Sequence, residues 1–137
     1  MDLITAEEFQ TRIAALCLSG AGATFPRRQR DRHILYRSVV QLLDSAQSYS
    51  EPDLNAALRQ WLSEIGTNFE MDHVTLRRYL VDEGYLRRDA EGSRYTVNPE
   101  GERLVEFDAE VSRVDSLMVI LAAKARAAGR KREQLGK

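Results

Sequence analysis

DHVTLRRYLVDEGYLRRDAEGSRYTV, residues Asp72–Val97, changes its hydrophobic period partway along. Leu76, Tyr79 and Leu80 recur three and four residues apart, which predicts a helix with one buried side. Asp72 stands where a side chain caps such a helix, and Gly84 supplies a left-handed stop. Beyond Gly84 the pattern alternates. Tyr85–Arg88 and Ser93–Val97 read as two short strands, with Asp89-Ala90-Glu91-Gly92 as the turn between them. Two adjacent arginine pairs, Arg77-Arg78 and Arg87-Arg88, stand in this stretch. Arg78 falls nearly opposite Leu76 on the helix, so burial of Leu76 and Leu80 turns it outward.

Two more helices precede this unit. HILYRSVVQLLDS, from His33, places Ile34, Leu35, Val39, Leu42 and Leu43 on one face. Ser48-Tyr49-Ser50 interrupts it. Ser50-Glu51-Pro52-Asp53 then combines a capping serine, first-turn acids and an early proline, a strong helix start. Leu54, Ala57, Leu58, Trp61, Leu62 and Ile65 continue the period, and Gly66 ends it. Trp61, between Leu58 and Leu62, reads as a core residue. Helix, helix, helix, hairpin is the order of a winged helix, a helix-turn-helix variant whose third helix can enter the DNA major groove. The expected fold is therefore mainly α with a small β-hairpin, a winged helix flanked by N- and C-terminal helices.

The flanks carry their own patterns. Thr5 and Glu8 form a capping box, and Phe9, Ile13 and Leu16 follow at helical spacing until Ser19–Gly22. At the other end Pro99 is expected to open a long helix. Leu104, Phe107, Val111, Val114, Met118 and Leu121 alternate three and four apart, a heptad-like seam. Leu117–Ala123 is apolar all round, which points to burial on more than one side and to a homodimer. Ala125 and Ala128 extend the register, and the polar stretch after Gly129 is expected to fray. The chain thus divides into an N-terminal helical arm (1–24), a central unit (25–98) and a C-terminal dimerisation helix with a basic tail (99–137).

Composition narrows the function classes. The chain has 137 residues and a net charge of −1, against a strong nonspecific polyanion binder. The charge is uneven: residues 25–98 are balanced, 99–123 carry −4 and 124–137 carry +5. No apolar run approaches the roughly 20 residues that span a bilayer, and MDLITAEEFQ lacks the basic start of a secretion signal. A cytoplasmic protein is expected. Cys17, in an apolar stretch without a basic neighbour, reads as a small buried hydrophobe. His33 and His73 are the only histidines, too few with one cysteine for a zinc site. No phosphate loop, nucleophile elbow or paired carboxylate motif is found, so neither enzyme, cofactor nor metal is expected.

FPRRQRDRHILY (25–36), YSEPDLNAAL (49–58) and DHVTLRRYLVDEGYLRRDAEGSRYTV (72–97) together resemble a bacterial domain of unknown function. Its catalogue number, in words, is two thousand and eighty-seven. The resemblance covers about residues 25–97, and the LRRYLVDEGYLRRD-x-x-GSRY block is its most specific part. It implies a winged-helix-like fold and a regulatory role, since members are often attached to transcription-regulator modules. It carries over no catalytic or ligand residue.

The expected function is DNA-binding transcriptional regulation as a dimer, with double-stranded DNA as partner. Thr75, Arg77 and Arg78 are assigned to the third helix, Arg88 and Arg94 to the wing, and Arg27, Arg28 and Arg30 to the phosphate backbone. Each arginine has a plainer alternative. Arg77 and Arg78 can pair with Asp82, Glu83 or Glu64 on the surface. Asp89 and Glu91 at the turn would oppose a polyanion. The 27–32 cluster sits where a helix dipole disfavours positive charge, which points to an anionic partner, although Asp31 could balance it in solvent. Two other functions stay open: a protein-interaction adaptor using the same surface, or a small-molecule sensor with a pocket at the helical seam.

Overall fold

Leu54, Leu58, Trp61, Leu76 and Leu80 are all fully buried, and the two helices that carry them pack together. The computed structural model describes residues 2–98 and 105–135. Among these, α1 is Ala6–Cys17, α2 Gln29–Val40, α3 Glu51–Glu64, α4 His73–Asp82 and α5 Ser116–Leu135. Five short strands are interleaved: β1 Asp2–Ile4, β2 Ser48–Ser50, β3 Leu86–Arg88, β4 Arg94–Val97 and β5 Val105–Phe107. The molecule is mainly helical with a small antiparallel sheet.

Three predicted caps form. The Thr5 hydroxyl accepts from the Glu8 N–H at 3.1 Å, Ser50 from Asp53 at 3.3 Å and Asp72 from Thr75 at 2.7 Å. Each satisfies one of the backbone donors that a helix start leaves over. Gly84 takes φ +80° and stops α4. The hairpin β3–β4 has Arg88 opposite Tyr95. Its turn is knotted by Asp89, whose carboxylate accepts from the Ser93 and Arg94 backbones. These bonds, the Arg94 N–H first, hold its carboxyl below the usual range.

The sheet has a third strand that the sequence pattern did not announce. Ser48–Ser50, read as an interruption, is β2 and pairs antiparallel with β4, giving the order β2–β4–β3. Three residues with two serines carry no visible alternation. The partner strand, not local propensity, makes them a strand. α2 also begins earlier and ends earlier than expected, at Gln29 and Val40, leaving Leu42 on a turn and 41% exposed.

The C-terminal region departs most from expectation. Among the described residues from Val105 onward there is no single continuous helix. Val105–Phe107 is a strand, pairing parallel with β1, and Ala109–Arg113 is a 3-10 turn. Pro99 and Leu104 lie outside the described residues. The aspartates explain the break: Asp108 accepts from Glu110 N–H and starts the 3-10 turn, while Asp115 accepts from Met118 N–H and starts α5. The three–four spacing from Phe107 to Leu121 therefore crosses three elements and is not one seam. Phe107 meets Phe9 edge to face at 6.3 Å, and Val111 is fully buried. Beyond Gly129, α5 continues to Leu135, because Arg, Lys, Glu and Gln are good helix formers.

A single core joins these parts. Ile4, Phe9, Ile13 and Cys17 belong to the same buried cluster as Ile34, Trp61 and Leu80, and so do Val105, Val111 and Ile120. Burial pushes the Cys17 thiol up to about 12. The N-terminal segment is also tied by charge: Arg12 grips Asp31 through two bonds of 3.0 and 3.1 Å, and Arg30 grips Glu8. Trp61 stacks on Phe69 at 6.4 Å, and Gly66 lies under its indole. None of the described helices is long and apolar enough to cross a membrane.

Two outcomes are expected. A Cβ on Gly66 would stand 2.6 Å from Cη2 of Trp61, so Gly66→Ala should cost about 2–3 kcal/mol by overpacking; urea unfolding followed by circular dichroism measures it. The Arg30 hydrogen bond holds the Glu8 carboxyl below its usual range. A depressed carboxyl stabilises above its unfolded pKa and loses that contribution as pH falls through the folded one. Glu8→Gln should therefore be less stable than the parent at neutral pH. The gap should close below about pH 4, read from melts across pH.

Candidate nucleic-acid interface

α4 has an inner and an outer side. Leu76 and Leu80 are fully buried, which turns Val74 and Arg78 out; Val74 is 49% exposed. Thr75, Arg78, Tyr79 and Asp82 fall on one outer stripe at 100° per residue. Thr75 and Tyr79 are half-buried, Arg78 and Asp82 exposed. The helix start also carries a local contact, Arg59 Nη2 lying 3.4 Å from His73 Nε2.

Arg77 is placed differently from its neighbour. Its guanidinium turns back to α3, donating to Asn55 at 2.6 Å and pairing with Glu51 at 3.2 Å. It also lies 5.9 Å from the Tyr95 ring centre. Only 16% of its side chain is exposed. The alternative of self-pairing thus describes Arg77, although with α3 acids and amides in place of Asp82, Glu83 or Glu64.

Tyr95 links the helix to the hairpin. Its ring is buried, and Arg88 lies over it at 5.8 Å. The ring thereby gathers one arginine from α4 and one from β3. Arg88 also donates to the Gly92 carbonyl at 3.2 and 3.3 Å, so its direction is set by the turn. Arg94 on β4 donates to the Ser48 carbonyl and hydroxyl, both at 2.9 Å, which fastens the edge strand β2. Arg87 donates to Asn98 at 3.1 Å. Arg87, Arg88 and Arg94 all remain exposed. Asp89 at the tip is spent on the turn, so the turn itself accounts for that acid.

The basic stretch before α2 splits in the same way. Arg27 and Arg28 are exposed. Arg30 is half-buried, bonded to Glu8 and to the Leu3 carbonyl at 2.7 Å. Asp31 belongs to Arg12 and does not balance the cluster. Arg32, not among the assigned site residues, lies over both Phe25 (5.7 Å) and Tyr79 (5.0 Å), and so reaches the outer stripe of α4 from α2. Its signal in the sequence was only the basic stretch FPRRQRDR, residues 25–32. The aromatic cluster behind it, Phe25, Tyr36 and Tyr79, joins residues far apart in the chain and shows no sequence pattern. His33 is fully buried beneath this face, with Nδ1 2.7 Å from the Tyr85 hydroxyl.

Among the assigned dimerisation residues, Val111 is buried, Phe107 and Val114 half-buried, and Met118 and Leu121 exposed. They do not form one surface. Among the described residues no group of three or more histidine, cysteine or acidic side chains could hold a metal ion.

No curated protein and no solved structure matches the chain. A family model does match, over residues 23–97, which contain α2, α3, α4 and the whole β2–β4–β3 sheet. The chain belongs to that family, described as an uncharacterized protein conserved in bacteria (DUF2087).

Proposed function

We propose that residues 25–98 form a winged-helix domain that binds double-stranded DNA, and that the protein acts as a dimeric transcriptional regulator. The observation that carries the reading is the partition of α4: Leu76 and Leu80 are inside and Arg78 outside, on a helix whose Arg77 shares the Tyr95 ring with Arg88 of the hairpin. The sheet supports the fold part. A strand between the first and second of three helices pairs with the second strand of a terminal hairpin, as β2 does with β4. Exposed Arg78, Arg87, Arg88 and Arg94, with Arg27 and Arg28, supply guanidinium groups suited to phosphates and guanine edges. Arg77 serves chiefly to position α4 on α3. No catalysis is assigned to this surface.

One observation favours a second reading. Val74, 49% exposed on α4, is an apolar residue on the outer side of the helix, flanking Arg78, as a protein-interaction adaptor would use. A sensor reading has its own feature, a cavity of about 310 Å³ lined by Ser38, Gln41 and Ser116, in which Gln41 Oε1 is buried without a hydrogen-bond partner.

Binding to random duplex, titrated with salt, separates the readings. A DNA binder shows affinity falling steeply and linearly in log–log form. Arg78→Ala should lower that slope by about 1 if it grips a phosphate, or cost about 1–3 kcal/mol on preferred sequences if it reads a base. Arg77→Ala should act mainly on stability, through the lost Asn55 and Glu51 contacts. Absence of duplex binding at low salt, with a protein partner co-purifying, would support the adaptor instead.

A further inference from the structure

α5 hides one side and shows the other. Ser116, Ile120 and Ala123 are buried, whereas Met118 and Leu121 are 61% and 49% exposed. At 100° per residue Met118, Leu121, Ala122 and Ala125 lie on the side away from Ile120, with Gly129 and Arg132 among them. This stripe is bulky at its start and small at its end. Charge is graded along it as well. Asp115 caps the start, while Lys124, Arg126, Arg130, Lys131 and Arg132 against Glu133 make the second half strongly basic.

We propose that this face pairs with the same face of a second copy, the two α5 helices running antiparallel about a two-fold axis near Ala122 and Ala125. The inference deepens the two-copy part of the proposed function and is independent of duplex binding. Orientation follows from the two gradients. Parallel helices would set Met118 on the partner's Met118 and one basic half against the other, which charge repulsion disfavours. Antiparallel helices place Met118 over the partner's Gly129, where an added Cβ meets nothing within 4 Å. They also bring Ala122 against the partner's Ala125 and Asp115 beside the partner's Arg132. Each contact occurs twice, as an isologous interface requires.

A groove continues this face toward α1. It has a volume of about 330 Å³ and is lined by Ala6, Gln10, Val114, Asp115 and Met118. Arg113 and Glu110 also line it, but they pair with each other at 3.2 Å. The Asp115 carboxylate therefore sets the net charge of the groove. It is negative where the second copy's basic half would lie, and apolar along Ala6, Val114 and Met118.

The test uses the full chain. Light scattering should give twice the 15.6 kDa chain mass. Leu121→Asp, at an exposed position that leaves the fold intact by circular dichroism, should weaken the dimer at least about tenfold. Orientation is read by disulfide trapping. Met118→Cys protein mixed with Gly129→Cys protein should cross-link, and neither should cross-link to itself. In the antiparallel pair like positions are eleven residues apart, roughly 16 Å. The native Cys17 is 3% exposed and does not compete. A dimer insensitive to Leu121→Asp, or self-linking of either cysteine variant, overturns this pairing while leaving a two-copy protein. A monomeric parent overturns both. A monomer whose duplex affinity drops when Arg130, Lys131 and Arg132 are made Glu would give the helix to a polyanion instead.

Discussion

The indole N–H of Trp61 is buried, and a buried donor without an acceptor costs about 1–3 kcal/mol. It donates to the Ser38 hydroxyl at 3.0 Å, and Ser38 in turn donates to Ser116 at 2.8 Å. Three helices, α3, α2 and α5, are fixed by this one relay. All three side chains are buried, where a low dielectric strengthens each bond of the relay and raises the cost of losing one. The terminal helix is thereby committed to the central helices by a polar constraint as well as by apolar packing. Its register follows, and with it the side of α5 that stays outside.

The same economy governs the arginines. Several that look like one basic surface in the sequence are individually engaged. Arg12 and Arg30 bind acids across the junction of α1 and α2, Arg77 holds α4 to α3, and Arg94 fastens β2. Surface ion pairs contribute little stability individually. Here they mostly fix orientation. What they leave exposed on α4 is Arg78, with Arg88 aimed by the Tyr95 ring and the Gly92 carbonyl. A cation held in one direction before binding loses less freedom when it meets a phosphate.

The central helices were legible because period and punctuation agree there. Ser50 and Asp72 cap, Gly84 stops, and Leu54, Leu58, Leu76 and Leu80 keep one face. Trp61 and Cys17 could be placed inside on composition of their neighbours alone. β1 and β2 were not legible, since three-residue strands take their identity from a partner distant in the chain. The C-terminal seam misled for a definite reason. Phe107, Val111 and Met118 keep heptad spacing while Asp108 and Asp115 cut the backbone between them into strand, 3-10 turn and helix. The site was half legible: the outward turn of Arg78 follows from Leu76, whereas the inward turn of Arg77 depends on Asn55 and Glu51.

The parallel pair of β1 and β5 has a consequence for the order of assembly. Leu3 is opposite Glu106, so during synthesis β1 has no strand to pair with until β5 has emerged. Contacts this distant in sequence form late, because loop closure must precede them. During synthesis the central helices and their sheet can settle first. β1 then waits, its backbone groups solvated, until β5 arrives.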